Sequence, residues 1–375
     1  MAQTRREFLR CAAGLGGLLL AGSAKPAAAR HSASVRAALG FFAGRQSADG
    51  AWRAASYAAF RDGDALSPVV LWAMQSTVSG GDDVFARGLR WLERLTDEHS
   101  PRAEPWTELR YPLFTASYAA QVLARAGDPR RALVWARLIE QLRTSTALGW
   151  PADDPMCGAW GDAAVPPRYT RPVPDMLAPN ISATALAVQA LNAAGCEAAA
   201  RSARPFLEQC QNFTEFPRDN FDDGGFFFAL DDPIRNKAGT AGHDAAGRRR
   251  FRSYGSATGD GFLALRACGL RRDHPRMRAT ADWLRLHSAG LSHSGTWSGG
   301  RDAARKSLVF YHAQALASAL RDVASEADWA IGCRRALAAD LAARQLPDGS
   351  WQGGSPESCE DEPLLATAFA LRALT

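Results

Sequence analysis

The chain lacks most of the features that would fix its chemistry at sight. Its seven cysteines include no C-x-x-C pair and no Cys/His cluster at zinc-finger spacing, which removes the usual structural-zinc and dithiol arrangements. No apolar run reaches the ~20 residues that a membrane-spanning helix needs. Net charge is low as well. The formal +5 drops to +2 once Arg5, Arg6, Arg10, Lys25 and Glu7 of the leader described below are set aside. That is too mild to point to nucleic acid or an anionic membrane as partner. No Gly-rich phosphate loop or nucleophile elbow is present, and no motif asks for a cofactor or a metal.

What is present is a globular composition, 47% apolar and 22% charged over 375 residues, enough for a large core. The N-terminus reads as a targeting segment. Thr4 to Arg10 holds a twin-arginine pattern, Cys11 to Ala21 is a short apolar run, and Ala27-Ala28-Ala29 offers an A-x-A cleavage site. The expectation is a twin-arginine signal peptide over 1–29 and an exported, periplasmic or extracytoplasmic protein whose single domain occupies 30–375. Six cysteines remain there: Cys157, Cys196, Cys210, Cys268, Cys333 and Cys359. Most sit inside helical patterns and read as buried small hydrophobes, with any pairing left open.

Internal repetition organises the rest. Arg36-Ala37, Phe41-Phe42, Gln46, Gly50, Trp52 returns as Arg335-Ala336, Leu341, Gln345, Gly349, Trp351, and again as Arg278-Ala279, Trp283-Leu284, Ser288, Gly295, Trp297. Partial copies occur at Arg87-Gly88, Trp91-Leu92, Thr96 and at Phe206-Leu207, Gln211, Gly224-Gly225-Phe226. Each copy opens with an amphipathic helical pattern, breaks at Gly, Pro or Asp, and continues into a second helix rich in Ala, Ser and Thr. Such second helices cover Pro68–Gln75, Thr115–Ala126, Ile181–Ala194, Ser256–Cys268, Leu308–Leu320 and Leu364–Leu374. Their small residues suit packing on all sides, so they belong inside, and the charged first helices belong outside. Six pairs, at 34–77, 84–126, 130–194, 197–269, 274–321 and 328–374, predict an all-α, closed (α/α)6 toroid. An open solenoid would need polar capping repeats at its ends, whereas the first and last pairs here are the most regular.

The order basic-small, aromatic-aliphatic, Gln, Gly-x-Trp resembles the QW repeat of triterpene cyclases and the looser repeat of protein prenyltransferase β subunits. Phe42 in place of an aliphatic and Asp340 in place of an aromatic are the departures. The chain is also similar to uncharacterised bacterial single-barrel proteins of this repeat, through Phe221 to Phe228, Asp232 to Gly239 and Arg252 to Ser256. The resemblance implies an α/α toroid with an axial cavity. In the repeat itself Gln46, Trp52, Gln345 and Trp351 are scaffold: Gln bonds backbone groups left open at the start of a neighbouring helix, and Trp covers the joint.

Candidate chemistry falls in three regions. Asp62 and Asp64 precede the first inner helix, where triterpene cyclases carry a D-x-D-D acid. Here the last Asp is missing, and helix capping is the better explanation of the pair. The long insertion 212–255 carries Asp222, Asp223, Phe226, Phe227, Phe228, Arg235 and Lys237, acids and cations beside aromatics that suit either a ligand site or a salt-bridged flap. Tyr254, Asp260 and His312 fall at or within inner helices four and five, where an ionisable group faces a cavity or forms a hydrogen-bonded core pair. Asp64, Asp222, Asp223, Asp260 and His312 are the candidate catalytic groups; Asp62, the three phenylalanines, Arg235, Lys237 and Tyr254 are the candidate binding groups. There is no D-D-x-x-D for magnesium-diphosphate and no Asp-x-Cys with a matching His for a prenyltransferase zinc.

The reading that follows is a squalene-cyclase-like or prenyltransferase-like repeat protein. Its ligand would be a hydrophobic small molecule, polyprenyl or triterpenoid, cyclised or isomerised after protonation by an acid. The alternatives are a non-catalytic binding or scaffold protein on the same barrel, and a carbohydrate-active α/α-toroid enzyme.

Overall fold

Helices make up nearly all the regular structure, and they alternate between two layers. The computed structural model describes residues 27–78, 81–99, 109–215, 220–288, 290–324 and 327–375; the twin-arginine segment before Ala27, and Asp219 in the insertion, lie outside them. The pairs are α1 (Ala27–Arg45) with α2 (Leu66–Met74), α3 (Asp83–His99) with α4 (Pro112–Arg125), and α5 (Pro129–Gln141) with α6 (Ile181–Ala193). In the fourth, two short helices, α7 (Glu197–Arg201) and α8 (Arg204–Gln209), replace one outer helix and precede α9 (Gly255–Ala267). The fifth joins α10 (Pro275–His287), through the short α11 (Asp302–Lys306), to α12 (Val309–Ala324), and the sixth is α13 (Asp328–Arg344) with α14 (Pro363–Leu374). All six expected pairs are present.

The two layers follow from composition. Every residue of α2 is buried, as a helix without a charged face must be. Outer α3 instead buries one stripe, Phe85, Gly88, Trp91, Leu92 and Thr96, and exposes Arg87 and Arg90. Proline at the first turn starts α4, α5, α10 and α14, where the missing N–H has no intrahelical partner to lose. Inner helices pack in the order α2, α4, α6, α9, α12 and α14, and α14 also packs on α2. No helix among the described residues is long and apolar enough to cross a membrane.

The repeat motif builds one joint, used several times. Gln46 Nε2 donates to Gly50 O at 3.0 Å and to Val84 O of the next outer helix at 2.8 Å. Gln211 does the same to Gly224 O and Arg276 O, and Gln345 to Gly349 O and Ser34 O, both at 2.9 Å. In each joint one partner is the local glycine carbonyl and the other a carbonyl of the adjoining outer helix, Val84 of α3, Arg276 of α10 or Ser34 of α1, so the last pair is joined to the first. Gly50 has φ 103° and a Cβ there would lie 2.5 Å from Arg87 O; Gly349 has φ 88° and its Cβ would lie 2.3 Å from Ala37 O. The basic-small pairs of α1, α3 and α10 are thus the surfaces on which Gly349, Gly50 and Gly224 rest. Trp52 and Trp351 donate Nε1 to Phe42 O and Leu341 O, both at 2.8 Å, and their backbone N–H groups go to Ser67 and Thr367.

Two features depart from the all-α expectation or were hidden from it. Inside the insertion, β1 (Thr240–His243) and β2 (Arg249–Phe251) form an antiparallel hairpin, closed by Asp244, whose Oδ1 accepts from the N–H groups of Ala246 and Arg248. The strands are too short and arginine-rich to show alternation. The third pair carries an unrecognised joint: Trp160 donates Nε1 to Ile139 O and its backbone N–H to Thr184, and a Cβ on Gly158 would lie 2.6 Å from Ser202 O.

Candidate functional site

The first turns of four inner helices converge on one end of the barrel, around a cavity of about 210 Å³. Pro112, Leu113 and Phe114 of α4, Ser182 and Ala183 of α6, Ser256 of α9 and Tyr311 of α12 form its wall, with Tyr254, the residue before α9, and Tyr118 deeper in α4. The wall is mostly aromatic and aliphatic. Tyr118 packs against Trp72 at 4.9 Å and Phe114 at 4.7 Å between ring centroids, and Tyr311 against Phe369 at 5.4 Å, so the rings are held in fixed edge-to-face or tilted arrangements.

Directly behind this wall lies Asp260, on the second turn of α9. It is buried, and its Oδ2 accepts from Ser182 Oγ at 2.7 Å and Tyr311 Oη at 2.9 Å. Burial raises its pKa to about 7, while the bonds from Ser182 and Tyr311, which favour the charged form, pull the other way. Burial, and after it the neighbouring Asp260 charge, pushes the phenols of Tyr118, Tyr254 and Tyr311 upward. The result is a carboxyl that titrates near neutrality, linked through two hydroxyls to an apolar chamber.

The insertion contributes its own edge. Asn236, fully buried, accepts from the N–H groups of Phe228 and Ala229 and donates to Ala229 O and Asp232 O. These four bonds fix the turn that sets Phe228 and Lys237 in the cavity wall. Opposite, Asp162 from the α5–α6 connection also faces the cavity. It accepts from Asn180 Nδ2 at 2.9 Å, and burial raises its pKa against the opposing pull of Arg235 and Lys237.

The sequence candidates therefore separate. Asp260, Tyr254, Phe228 and Lys237 are brought together, with Arg235 over the Phe228 ring at 5.4 Å. Asp64 is buried outside the wall, with Oδ1 unpartnered; burial raises its pKa, and the N–H of Ala65 opposes this. Asp62 is exposed. His312 is buried and stacked on His293 at 4.3 Å, and burial lowers its pKa to about 4.

Asp222 and Asp223 lie away from the cavity, in the joint between the insertion and α10. Asp222 accepts from Thr214 N and pairs with Arg250; Asp223 accepts from Gly225 N, Ser253 Oγ and Trp283 Nε1. Phe226 donates its N–H to Thr258 and fills the place that Trp holds elsewhere, and Phe227 packs on Phe251. Three consecutive phenylalanines thus serve a joint, a core and a cavity.

Sequence reasoning missed Ser182, Tyr311 and Asp162. Ser182 and Tyr311 fall within helices recognised as inner, and helical phase relative to Asp260 was the signal available. Glu360 stands three residues before the last inner helix, where a cap for that helix would sit. It caps α12 instead, accepting from the N–H groups of Val309, Phe310 and Tyr311, and burial raises its pKa to about 7. Glu362 caps α14. All six cysteines of the described residues are free.

No protein-family model matches the chain, and no functionally curated protein is similar to it in sequence. Solved structures do share its fold. The type II terpene cyclase MstE from Scytonema, bound to its substrate geranylgeranyl dihydroxybenzoate, superposes with TM-score 0.57 at 14% identity, over 93% of this chain and 97% of that one. An unsaturated glucuronyl hydrolase specific for heparin gives 0.58 at 13%, over 92% and 96%. A protein from Actinoplanes gives 0.54 at 15%, over 92% and 98%. Identities this low establish a common fold, and the nearly equal scores leave the choice of chemistry to the site.

Proposed function

We propose that this chain, an α/α toroid of the kind found in terpenoid cyclases, binds a prenyl hydrocarbon in its axial cavity and cyclises or isomerises it by acid catalysis. The observation that carries the reading is Asp260, a carboxyl whose pKa burial raises to about 7, so that a large share holds its proton at neutral pH, set behind an aromatic chamber. In this mechanism Asp260 and the Tyr311 hydroxyl pass a proton to a carbon–carbon double bond. The resulting carbocation is stabilised by the faces of Tyr118, Phe114 and Phe228, and loss of a proton to the Asp260 carboxylate closes the cycle without a co-reactant. Exclusion of water protects the cation from capture.

The cavity supports a narrower substrate than the fold alone would. At about 210 Å³ it is below the ~300–1,000 Å³ of typical ligand sites, which favours a short prenyl chain over a triterpene. Glycoside hydrolysis would use two carboxyls around a polar, hydrated cleft; this wall is predominantly apolar. The twin-arginine pattern at Thr4 to Arg10 supports export of the folded barrel.

The test is turnover. Purified protein lacking residues 1–29 is incubated with farnesol, geranylgeraniol and squalene, and the solvent extract is analysed by mass spectrometry. A cyclised or isomerised product from the shorter substrates that disappears in Asp260→Asn is expected. Intact substrate recovered from the protein, without product, would reduce the reading to binding alone.

A further inference from the structure

The far end of the barrel, where the inner helices finish, holds a second cavity of about 290 Å³. Trp72 and Gln75 at the end of α2, Gln121 and Arg125 of α4, and Arg372 of α14 line it. A partition of two rings separates it from the chamber near Asp260. Tyr118 lines that chamber, Trp72 lines this cavity, and their ring centroids are 4.9 Å apart.

Cations at helix C-termini ordinarily serve the helix dipole and the last carbonyls, and two arginines at this end do so. Arg321 donates to Arg372 O at 3.1 Å, and Arg266 to Leu270 O at 2.6 Å. Arg125 and Arg372, in the last turns of α4 and α14, reach no carbonyl. Among the described residues neither donates a hydrogen bond and neither has a carboxylate within 4 Å. The Arg372 guanidinium carbon lies 4.7 Å from the centroid of the Trp72 ring, and its Nε is buried without a partner. The nearby amide of Gln121 is occupied at both ends, accepting from Trp72 Nε1 and donating to Ser117 O.

The charges around this cavity repel one another. Burial lowers the Arg372 pKa to about 10, the Arg125 charge pushes it the same way, and only the Tyr118 phenol opposes. Burial, and after it the charges of Arg372 and Arg334, lowers Arg321 to about 9. All remain protonated at neutral pH, so an anion entering the cavity relieves both the repulsion and the unmet donor. Arginine forks match the paired oxygens of carboxylate and phosphate. The volume, near the ~300 Å³ floor of ligand sites, suits a small molecule and excludes a long-chain lipid.

We propose that this cavity is a second ligand site, which takes a small organic anion, a carboxylate or a phosphate monoester, between Arg125 and Arg372. Oxygens of the ligand accept from Arg372 Nε and from the Arg125 guanidinium. The site lies beyond the Tyr118–Trp72 partition and asks nothing of the acid chemistry, so it stands or falls apart from the prenyl reading.

Isothermal titration calorimetry of the purified protein with succinate and with glycerol phosphate, in chloride buffer of fixed ionic strength, tests this. Saturable binding of at least one is expected, and the tighter of the two names the class. Arg372→Gln and Arg125→Gln should each weaken it by about ten- to a hundredfold. Arg125 is exposed, so its replacement leaves the core alone, and a thermal melt checks the fold of both variants. Arg168→Gln makes the same change of charge at an exposed position on the α5–α6 connection and should leave binding unchanged. An equal loss in all three variants would reduce the effect to net charge and overturn the site. Binding that survives both Arg372→Gln and Arg125→Gln, or no saturable binding of either probe, would overturn it as well.

Discussion

Tyr311 donates its phenolic hydrogen to Asp260 across 2.9 Å, and the two residues come from different inner helices, α12 and α9. The bond favours the ionised carboxyl and opposes the upward push of burial. Tyr311→Phe should therefore raise the Asp260 pKa above its present value of about 7. Loss of one hydrogen bond to a charged group corresponds to about one to two pH units. The descending limb of the kcat/KM profile should move upward by that amount, and the carboxyl infrared band should titrate with it. A profile that keeps its position would show that Tyr311 does not tune the acid.

Stability should depend on pH through the same carboxyl. Asp260 titrates at about 7 in the fold and at ~3.9 when unfolded, so between those values the native state binds more protons and stability falls as pH rises. The difference is fully developed above pH 7 and amounts to about 4 kcal/mol. Urea unfolding at pH 4.5 and 8 should show Asp260→Asn gaining on the parent by roughly that margin at the higher pH. Glu360 contributes in the same direction. His312, lowered to about 4 by burial, acts oppositely: its contribution is lost as pH falls from ~6.5 through that value. Comparing single variants with the parent separates these slopes.

The joint predicts contrasting alanine substitutions. Gly40, exposed within α1, has nothing within 4 Å of an added Cβ, so Gly40→Ala should stabilise by about 0.5–1 kcal/mol. Gly349→Ala would place Cβ 2.3 Å from Ala37 O at φ 88° and should cost several times as much, since backbone on both sides must move. Thermal melts of the two variants decide it. Similar shifts would mean that the contact is slack.

Asn236→Ala offers a local test of the cavity edge. It removes four hydrogen bonds from a buried turn, and each group left unpaired costs about 1–3 kcal/mol. Hydrogen exchange should accelerate over 226–239 more than over α6, with ligand affinity falling in parallel.

The architecture was legible because helical period and the Gln, Gly-x-Trp spacing repeat along the chain. The inner helices Ile181–Ala193 and Gly255–Ala267 fall within one residue of their expected bounds for that reason. The third joint escaped notice because a loop of thirteen residues separates Thr144 from Gly158, where Gln46 and Gln345 stand four positions before their glycines. The site was less legible. Lys237 and Phe228 are positioned by the side chain of Asn236, and Asp260 by hydroxyls on two other helices, relationships that no local pattern encodes. Asp222 and Asp223 attracted attention as an acid pair, yet their hydrogen bonds brace the insertion and fasten it to Trp283 of α10.

The joints are chemically alike but not thermodynamically equal. Gln46 reaches a carbonyl 38 positions away, whereas Gln345 reaches Ser34 across 311. Closing the longer span costs about 2 kcal/mol more in chain entropy when nothing between has yet formed. The seam between α13 and α1 is thus the joint whose formation gains most from the intervening pairs forming first, since they shorten the loop it must close.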